Sequence, residues 1–202
     1  MNAPETNVAP AIGELFQGGY CTGYLRLPDG NFAILASPKS FGQHVDGPWD
    51  KTLARVDGAL SFFDGLANTR AMQAAGSALA DWALGLSING FSDWYLPARD
   101  ELELCYRHLK PGRDENWCYR GDNPSSIPVG YAYMPNDPAQ TAVEVFRIGG
   151  AEAFDDVWHW SSTQYAGADA GACMQDFSVG GQDYGHKSYD YRARAVRRVA
   201  IR

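Results

Sequence analysis

The densest collection of side chains able to hold another molecule lies in the segment 154–191. There Phe154, Trp158, Trp160, Tyr165, Phe177, Tyr184, Tyr189 and Tyr191 put eight aromatics into 38 residues, interleaved with Gln164, Gln175, Gln182, Asp183, His186 and Ser188. Rigid rings give contact area at low entropy cost while amides and hydroxyls supply hydrogen bonds, so this composition suits an adaptable recognition surface. Trp160 and Phe177 fall in strand-like runs and read as core. Trp158, Tyr165, Tyr184, His186 and Tyr189 are set among Gly167, Gly171, Gly181 and Gly185, where loops that expose side chains are expected. With Gln182 and Asp183 they are the candidate ligand-binding residues.

Other chemistries are less well supported. Cys105 stands three residues before His108, on adjacent parts of one helical surface, but it belongs to an apolar stripe, so a buried thiol is expected rather than a nucleophile. Ser161, Ser162 and Thr163 follow Trp160 without a Gly-x-Ser-x-Gly elbow, and their hydroxyls are expected to bond backbone at a strand end. Asp155, Asp156 and His159 cluster locally and Asn136-Asp137 lies in an irregular stretch, yet an acidic solvated surface explains both. Cys21, Cys105, Cys118 and Cys173 include no Cys-x-x-Cys pair, which argues against zinc and for free thiols in a chain of this size. No catalytic residue, metal or cofactor is assigned.

The elements that must position these groups follow from periodicity and punctuation. Tyr20, Tyr24, Leu25 and Leu27, the turn Pro28-Asp29-Gly30-Asn31, then Phe32, Ile34 and Leu35 predict a hairpin over 18–36. Residues 37–66 read as loop. Asn68-Thr69 offers an N-cap for a helix with Met72, Ala75, Leu79, Trp82 and Leu86 on its core face, stopping at Asn89-Gly90. A second helix starts near Pro97, buries Leu102, Cys105, Tyr106 and Leu109, and ends at Pro111-Gly112; Arg99, Asp100, Glu103 and Arg107 form its solvated side. Residues 111–140 read as a long surface loop. Strands are expected over Thr141–Ile148, Val157–Ser161, Ala172–Val179 and Tyr191–Ile201. The class is α+β, with terminal segments that can share a sheet.

Charge is segregated. The 202 residues carry 24 acidic and 17 basic groups, a formal charge of −7, but the last eleven hold five arginines and no acid, so residues 1–191 stand at −12. Ala193, Ala195, Val196, Val199 and Ile201 interleave with those arginines as in a closing strand whose guanidinium groups pair with the chain's own carboxylates. Nucleic acid is therefore not an expected partner. The N-terminus has no basic region followed by an apolar run, and nothing approaches the length of a membrane span, so neither a signal peptide nor membrane insertion is expected.

Gly65-Leu66-Ala67-Asn68-Thr69, then Gly90-Phe91-Ser92-Asp93-Trp94-Tyr95-Leu96-Pro97 with Glu101-Leu102, then Trp160-Ser161-Ser162-Thr163, Phe177, Gly180, Lys187 and Arg194-Ala195-Val196-Arg197 form an ordered set. Over residues 12–200 it resembles the domain family typified by the C-terminal domain of the Legionella collagen-like adhesin, also met as single-domain proteins of phages and prophages. The resemblance implies a C-type lectin-like fold, with two helices, short antiparallel strands and a long loop-rich face. Residues 12–202, with no internal repeat or domain boundary, read as a single domain behind an arm of residues 1–11 that is flexible or partner-bound and lies outside the resemblance. Relatives of that fold include formylglycine-generating enzymes and the diversified receptor-binding proteins of phages, whose C-terminal stretch displays the ligand contacts, so fold alone does not decide function. Pro135-Asn136-Asp137 does not reproduce the Glu-Pro-Asn or Gln-Pro-Asp triplet of calcium-dependent sugar-binding lectins.

The expectation is thus a non-enzymatic ligand-binding module, a phage or prophage virion protein of the tail or another attachment point, that recognises a host-surface glycan or protein through 154–191. Its acidity favours a neutral sugar or a protein over a polyanion. Two alternatives stay open: a structural component docking onto other virion proteins, and an enzyme related to the formylglycine generators. A homo-oligomer is also open, with no coiled coil to specify one.

Overall fold

The Pro28-Asp29-Gly30-Asn31 turn joins β2 (Gly19–Leu27) to β3 (Gly30–Ala36) in the expected antiparallel hairpin, with Leu25 opposite Phe32 and Leu27 opposite Gly30. The computed structural model describes residues 9–202. Residues 1–8 of the expected arm lie outside the described residues; Pro10, at its end, is buried and its carbonyl accepts from the Tyr24 hydroxyl at 2.5 Å. β1 (Leu15–Phe16) pairs with β2, and β9 (Val196–Ile201) with β3, so the terminal segments share a four-stranded sheet of order β1-β2-β3-β9.

The closing run is divided where one strand had been expected. At Ala195 the backbone N–H donates to Gly42 O at 2.9 Å and the carbonyl accepts from Ser37 N at 2.9 Å, so the chain passes there from one sheet to the other. The second sheet has the order β4-β8-β5-β6-β7, from Gln43–Gly47, Tyr191–Arg194, Trp158–Gln164, Gly171–Asp176 and Gln182–His186 respectively. The arginines flanking the crossing are paired, as their interleaving predicts. Arg194 reaches Glu152 at 2.8 Å, Arg197 reaches Asp93 at 2.7 Å, Arg198 reaches Asp64 at 3.3 Å, and Arg192 holds both Asp155 and Asp46.

Among the described residues four α-helices stand against the two expected. One is a single turn, α1 (Lys39–Gly42), in the region read as loop, which also contains β4 and a short 3-10 turn over Asp57–Ala59. The expected helix from Asn68 to Asn89 is split into α2 (Gly65–Ala74) and α3 (Ala78–Leu84). Gly76, at φ +90, takes the left-handed step that ends α2, and the Ser77 hydroxyl accepts from Ala80 N to begin α3. The true N-cap of α2 is Asp64, whose carboxylate accepts from Ala67 N at 3.0 Å; Asn68 is buried and clamps the backbone of Ser61 through both its amide atoms. Met72 and Leu79 reach the core as predicted, whereas Ala75 is exposed at the break.

α4 (Arg99–Leu109) buries Leu102, Cys105, Tyr106 and Leu109 against the hairpin, with Leu25, Ile34, Phe146, Phe154 and Phe177 in the same cluster. Where the hairpin crosses α4, β2 carries a bulge at Gly23 (φ +150), and any Cβ there would meet Leu104 and His108 at 2.9 Å. A second cluster, with Trp49, Met72, Leu79, Trp160, Met174 and Ala193, fills the space between the other sheet and α2–α3. Thr141–Ile148 is not a strand: it holds a 3-10 turn at Glu144–Phe146 that drives Phe146 into the core, 5.2 Å from Tyr20. Among the described residues no helix is long and apolar enough to cross a membrane.

Candidate binding face

The charged side of α4 is not solvated. Asp100 and Glu103 are buried and Arg99 and Arg107 nearly so, because the irregular segment 111–140 folds back over this side of the helix. Glu103 organises the contact. Its Oε1 accepts from Arg107 Nε at 2.7 Å and from the Tyr133 hydroxyl at 2.9 Å, and its Oε2 accepts from Asn123 Nδ2 at 2.7 Å. The same Asn123 amide donates to Asp100 O at 2.8 Å, and Ser125 donates to the Asp100 carboxylate at 2.7 Å. Burial pushes the Glu103 and Asp100 carboxyls above the ordinary range; Arg107 and Arg99 pull each back.

A second anchor is Asn116. Its Oδ1 accepts from the Tyr106 hydroxyl at 2.7 Å and from Lys110 Nζ at 2.8 Å, and its Nδ2 donates to Met134 O and Pro138 O, both at 2.9 Å. Trp117 N donates to Val179 O at 2.7 Å and Gly121 N to Gln182 Oε1 at 3.3 Å, which ties the segment to the start of β7. Little regular structure is needed for this order, since buried side chains and isolated backbone bridges, Asn123 with Gly130, Met134 with Asp137 and Ser126 with Leu25 of β2, hold its turns.

What the anchoring presents is a rim of rings. Trp117, Tyr119, Tyr131 and Met134 are each half or more exposed. Trp117 and Tyr119 lie 6.0 Å apart, the indole covers Gly181, and the Arg120 guanidinium lies 5.3 Å over the Tyr119 ring. Arg120 has φ +73, a left-handed conformation uncommon for a residue with a Cβ, at the tip of the rim.

The strand register places the seven residues singled out from sequence. Cys173 is opposite Tyr184 and Met174 opposite Asp183, so alternation puts Tyr184 and His186 on one face of the sheet and Asp183 with Gly185 on the other. Tyr184 is exposed and stacks on Tyr165, centroids 3.9 Å apart and planes 2° from parallel. Asp183, at the sheet edge, accepts from Tyr184 N at 2.8 Å, and Tyr189 N donates to His186 O at 2.9 Å; both groups would otherwise be open to strand pairing. His186 and Tyr189 are exposed and mutually in contact at 5.7 Å, and Tyr189 leads through Tyr191 to Trp160 in the core. Trp158 packs partly against that core, and Gln182 is buried, its amide spent on Gly121. Trp160 and Phe177 are fully buried, as predicted. Tyr165 and Tyr184 therefore stack at the exposed edge strand β7, to whose start the Trp117–Tyr119 segment is tied, whereas Trp158 and Gln182 turn inward.

The other groups are accounted for locally. Asp155 binds Lys39 at 2.6 Å and Arg192 at 2.9 Å. His159 is buried between Phe154 and Phe177, and desolvation pulls its imidazole down to about 4. Ser161 donates to Cys173 O at 2.9 Å and Thr163 to Ser61 O at 2.8 Å, as expected of strand-end hydroxyls. His108 Nδ1 meets Thr22 O at 2.6 Å, and Cys105 points to Glu101 O. All four cysteines are free. Burial pushes the thiols of Cys21 and Cys173 up to about 11 and that of Cys105 to about 12, while Cys118 is exposed on the rim. A thiol-alkylating reagent near neutral pH is thus expected to label Cys118 in the folded protein and the other three only after denaturation; mass-mapped label on Cys105 under native conditions would contradict this.

No family model matches the chain, and no curated protein matches it. Among the described residues open clefts lie remote from the rim and beside its Asn116 anchor. One, of about 240 Å³, is lined by His44, Asp46, Asp50, Lys51 and Leu79; the other, of about 280 Å³, by Lys110, Arg113, Asp114 and Gln140. In the second, the Lys110 ammonium is directed to Asp114 O, Asn116 Oδ1 and Pro138 O, so it serves the loop rather than the cleft.

Proposed function

We propose that the chain is a non-enzymatic ligand-binding module of C-type lectin-like fold, acting as a phage or prophage virion protein at the tail or another attachment point. The observation that carries the binding reading is the rim of half-exposed rings anchored by a fully buried polar network. Exposing Trp117, Tyr119, Tyr131, Met134 and Tyr184 leaves apolar surface in water, and a soluble chain that also orders such a patch has the makings of an interface. The fold and the virion setting are supported by the ordered motifs shared with the adhesin-like domains. The paired terminal strands, α4 beneath the hairpin, and a long irregular segment over one side accord with them. Three thiols raised by burial offer little to a cysteine-dependent enzyme.

The rim redraws the face predicted from 154–191: its partner surface combines Trp117, Tyr119 and Tyr131 with Tyr165 and Tyr184. A host-cell pull-down and a glycan array with the wild type and a Trp117→Ala, Tyr184→Ala double variant test this. Loss of binding by roughly tenfold or more is expected, since ring hot spots cost about 2 kcal/mol or more when truncated. Undiminished host binding by the folded double variant would remove the face from consideration. Assembly with other virion proteins in the absence of any host ligand would favour the structural alternative.

A further inference from the structure

On the reading that this rim binds a partner, we propose that its Trp117 end takes a cationic polypeptide segment, with an arginine or lysine side chain of the partner seated on the indole. The chain already satisfies ring after ring with its own cations. Arg120 lies over Tyr119, Arg107 over Tyr131 and Tyr133, Arg99 over Phe62, and Arg197 over Phe91 at 4.0 Å. Among the described residues none lies over Trp117, although tryptophan is the best ring for a cation and this one is half exposed.

Charge complementarity selects the occupant. Asp114 and Glu115 immediately precede the Asn116 anchor, Asp122 follows the Gly121 that is tied to Gln182, and Asp183 stands two residues beyond the Gly181 that the indole covers. All four are exposed, and none is in an ion pair among the described residues. Lys110, Arg113 and Arg120 are the cations nearby; the first is buried and spent on Asp114 O, Asn116 Oδ1 and Pro138 O, the second donates to Gln140 Oε1 at 3.0 Å, and the third is turned over Tyr119. The excess of carboxylates around an open indole favours a guanidinium or ammonium over a neutral sugar ring, and the acidic charge of the whole chain draws such a segment in. Met134, held by Asn116 and exposed, adds an adaptable apolar contact for the aliphatic stem of the incoming side chain.

Calorimetric titration of the full chain with an oligo-arginine peptide, a Gly-Ser peptide of equal length and maltoheptaose tests the assignment, at low and at physiological salt. Saturable one-to-one binding of oligo-arginine alone is expected. It should weaken roughly tenfold in Trp117→Ala, be largely kept in Trp117→Tyr, and fall about threefold in Glu115→Gln. Phe41→Ala, exposed but remote from the rim, should match the wild type, and thermal melts establish that each variant is folded. Absence of oligo-arginine binding, or binding of equal strength in Trp117→Ala, overturns the proposal, the latter as mere adsorption to an acidic chain. Maltoheptaose binding that Trp117→Ala abolishes also overturns it while leaving the ligand-binding face intact. Trp117-dependent oligo-arginine binding alongside undiminished host-cell binding by the double variant upholds the cationic assignment and moves the host contact elsewhere.

Discussion

Glu103→Ala should lower the unfolding free energy by about 3–5 kcal/mol and, on the proposed reading, abolish binding at the rim, although Glu103 is buried beneath it. The variant strands Arg107, Asn123 and Tyr133, which converge on the buried carboxylate within 2.9 Å, the last two themselves buried. Breaking a buried pair on one side costs more than the pair contributes, because the desolvated partner is left behind. Arg107 also holds the carbonyls of Gly121 and Tyr131, so its release loosens both edges of the rim. Glu103→Gln should lose less. Its amide oxygen can still accept from Arg107 and Tyr133, while its NH2 opposes the Asn123 NH2 unless that amide turns its unpartnered Oδ1 inward. Denaturant unfolding gives the stability, and hydrogen exchange across 117–134 reports the rim. A loss below about 1 kcal/mol with unchanged protection in Glu103→Ala would show that the segment is held by something else.

That network also explains what a reading of the sequence reaches and where it stops. Periodicity identifies the apolar stripe of α4, and Leu102, Cys105, Tyr106 and Leu109 are all buried as it requires. The same periodicity makes the opposite side look solvated, because a helical pattern reports which side chains are charged and says nothing of what lies over them. The cover comes from Asn116, Asn123, Ser125 and Tyr133 in a stretch with no period at all, held by side-chain bonds, to other side chains and to backbone, that leave no repeating trace. Tyr131 and Tyr133 are identical in type and two residues apart, yet one is exposed on the rim and the other sits on Glu103. The available hint was Trp117-Cys118-Tyr119 and Tyr131-Ala132-Tyr133-Met134 amid Gly and Pro, rings where composition alone would put a polar loop.

Punctuation was more informative than the length of a pattern. Gly76-Ser77 carries both a helix stop and a helix start, and the fold uses them, whereas the apolar spacing from Met72 to Leu86 runs through the break. β7 escapes notice because Gln182-Asp183-Tyr184-Gly185-His186 has one residue with strong strand preference; pairing with β6 imposes its conformation. The closing arginines were legible for a physical reason: five guanidinium groups alternating with small apolar residues in an acidic chain have carboxylates as their natural partners.

Glu101 adds a pH dependence of its own to stability. Its carboxylate is fully buried without an ion-pair partner among the described residues; Oε2 accepts from Ala98 N at 2.8 Å and Gly65 N at 3.1 Å, and Oε1 from the Tyr95 hydroxyl at 2.7 Å. It therefore fastens the start of α2 to the start of α4. Desolvation raises it to about 7, against the pull of the Tyr95 hydroxyl, the Ala98 N–H and the Arg198 charge. A carboxyl whose folded value lies above its unfolded one binds its proton more tightly in the native state. Its contribution is therefore fully favourable below the ordinary glutamate range and is lost as pH rises from about 4.5 to 7. The difference corresponds to about 3 kcal/mol. In Glu101→Gln the amide oxygen can accept both N–H groups and the NH2 can donate to Tyr95, so the contacts survive without the charge. The stability of the wild type relative to this variant should fall by about 3 kcal/mol between pH 4 and pH 8, read from urea unfolding at each pH. Glu101→Ala, which leaves Gly65 N and Ala98 N without acceptors, should be destabilised by about 3 kcal/mol or more at every pH. A wild type and Glu101→Gln that keep a constant difference across the range would mean that Glu101 titrates at its ordinary value, and that the backbone N–H groups and Tyr95 outweigh the cost of burying its charge.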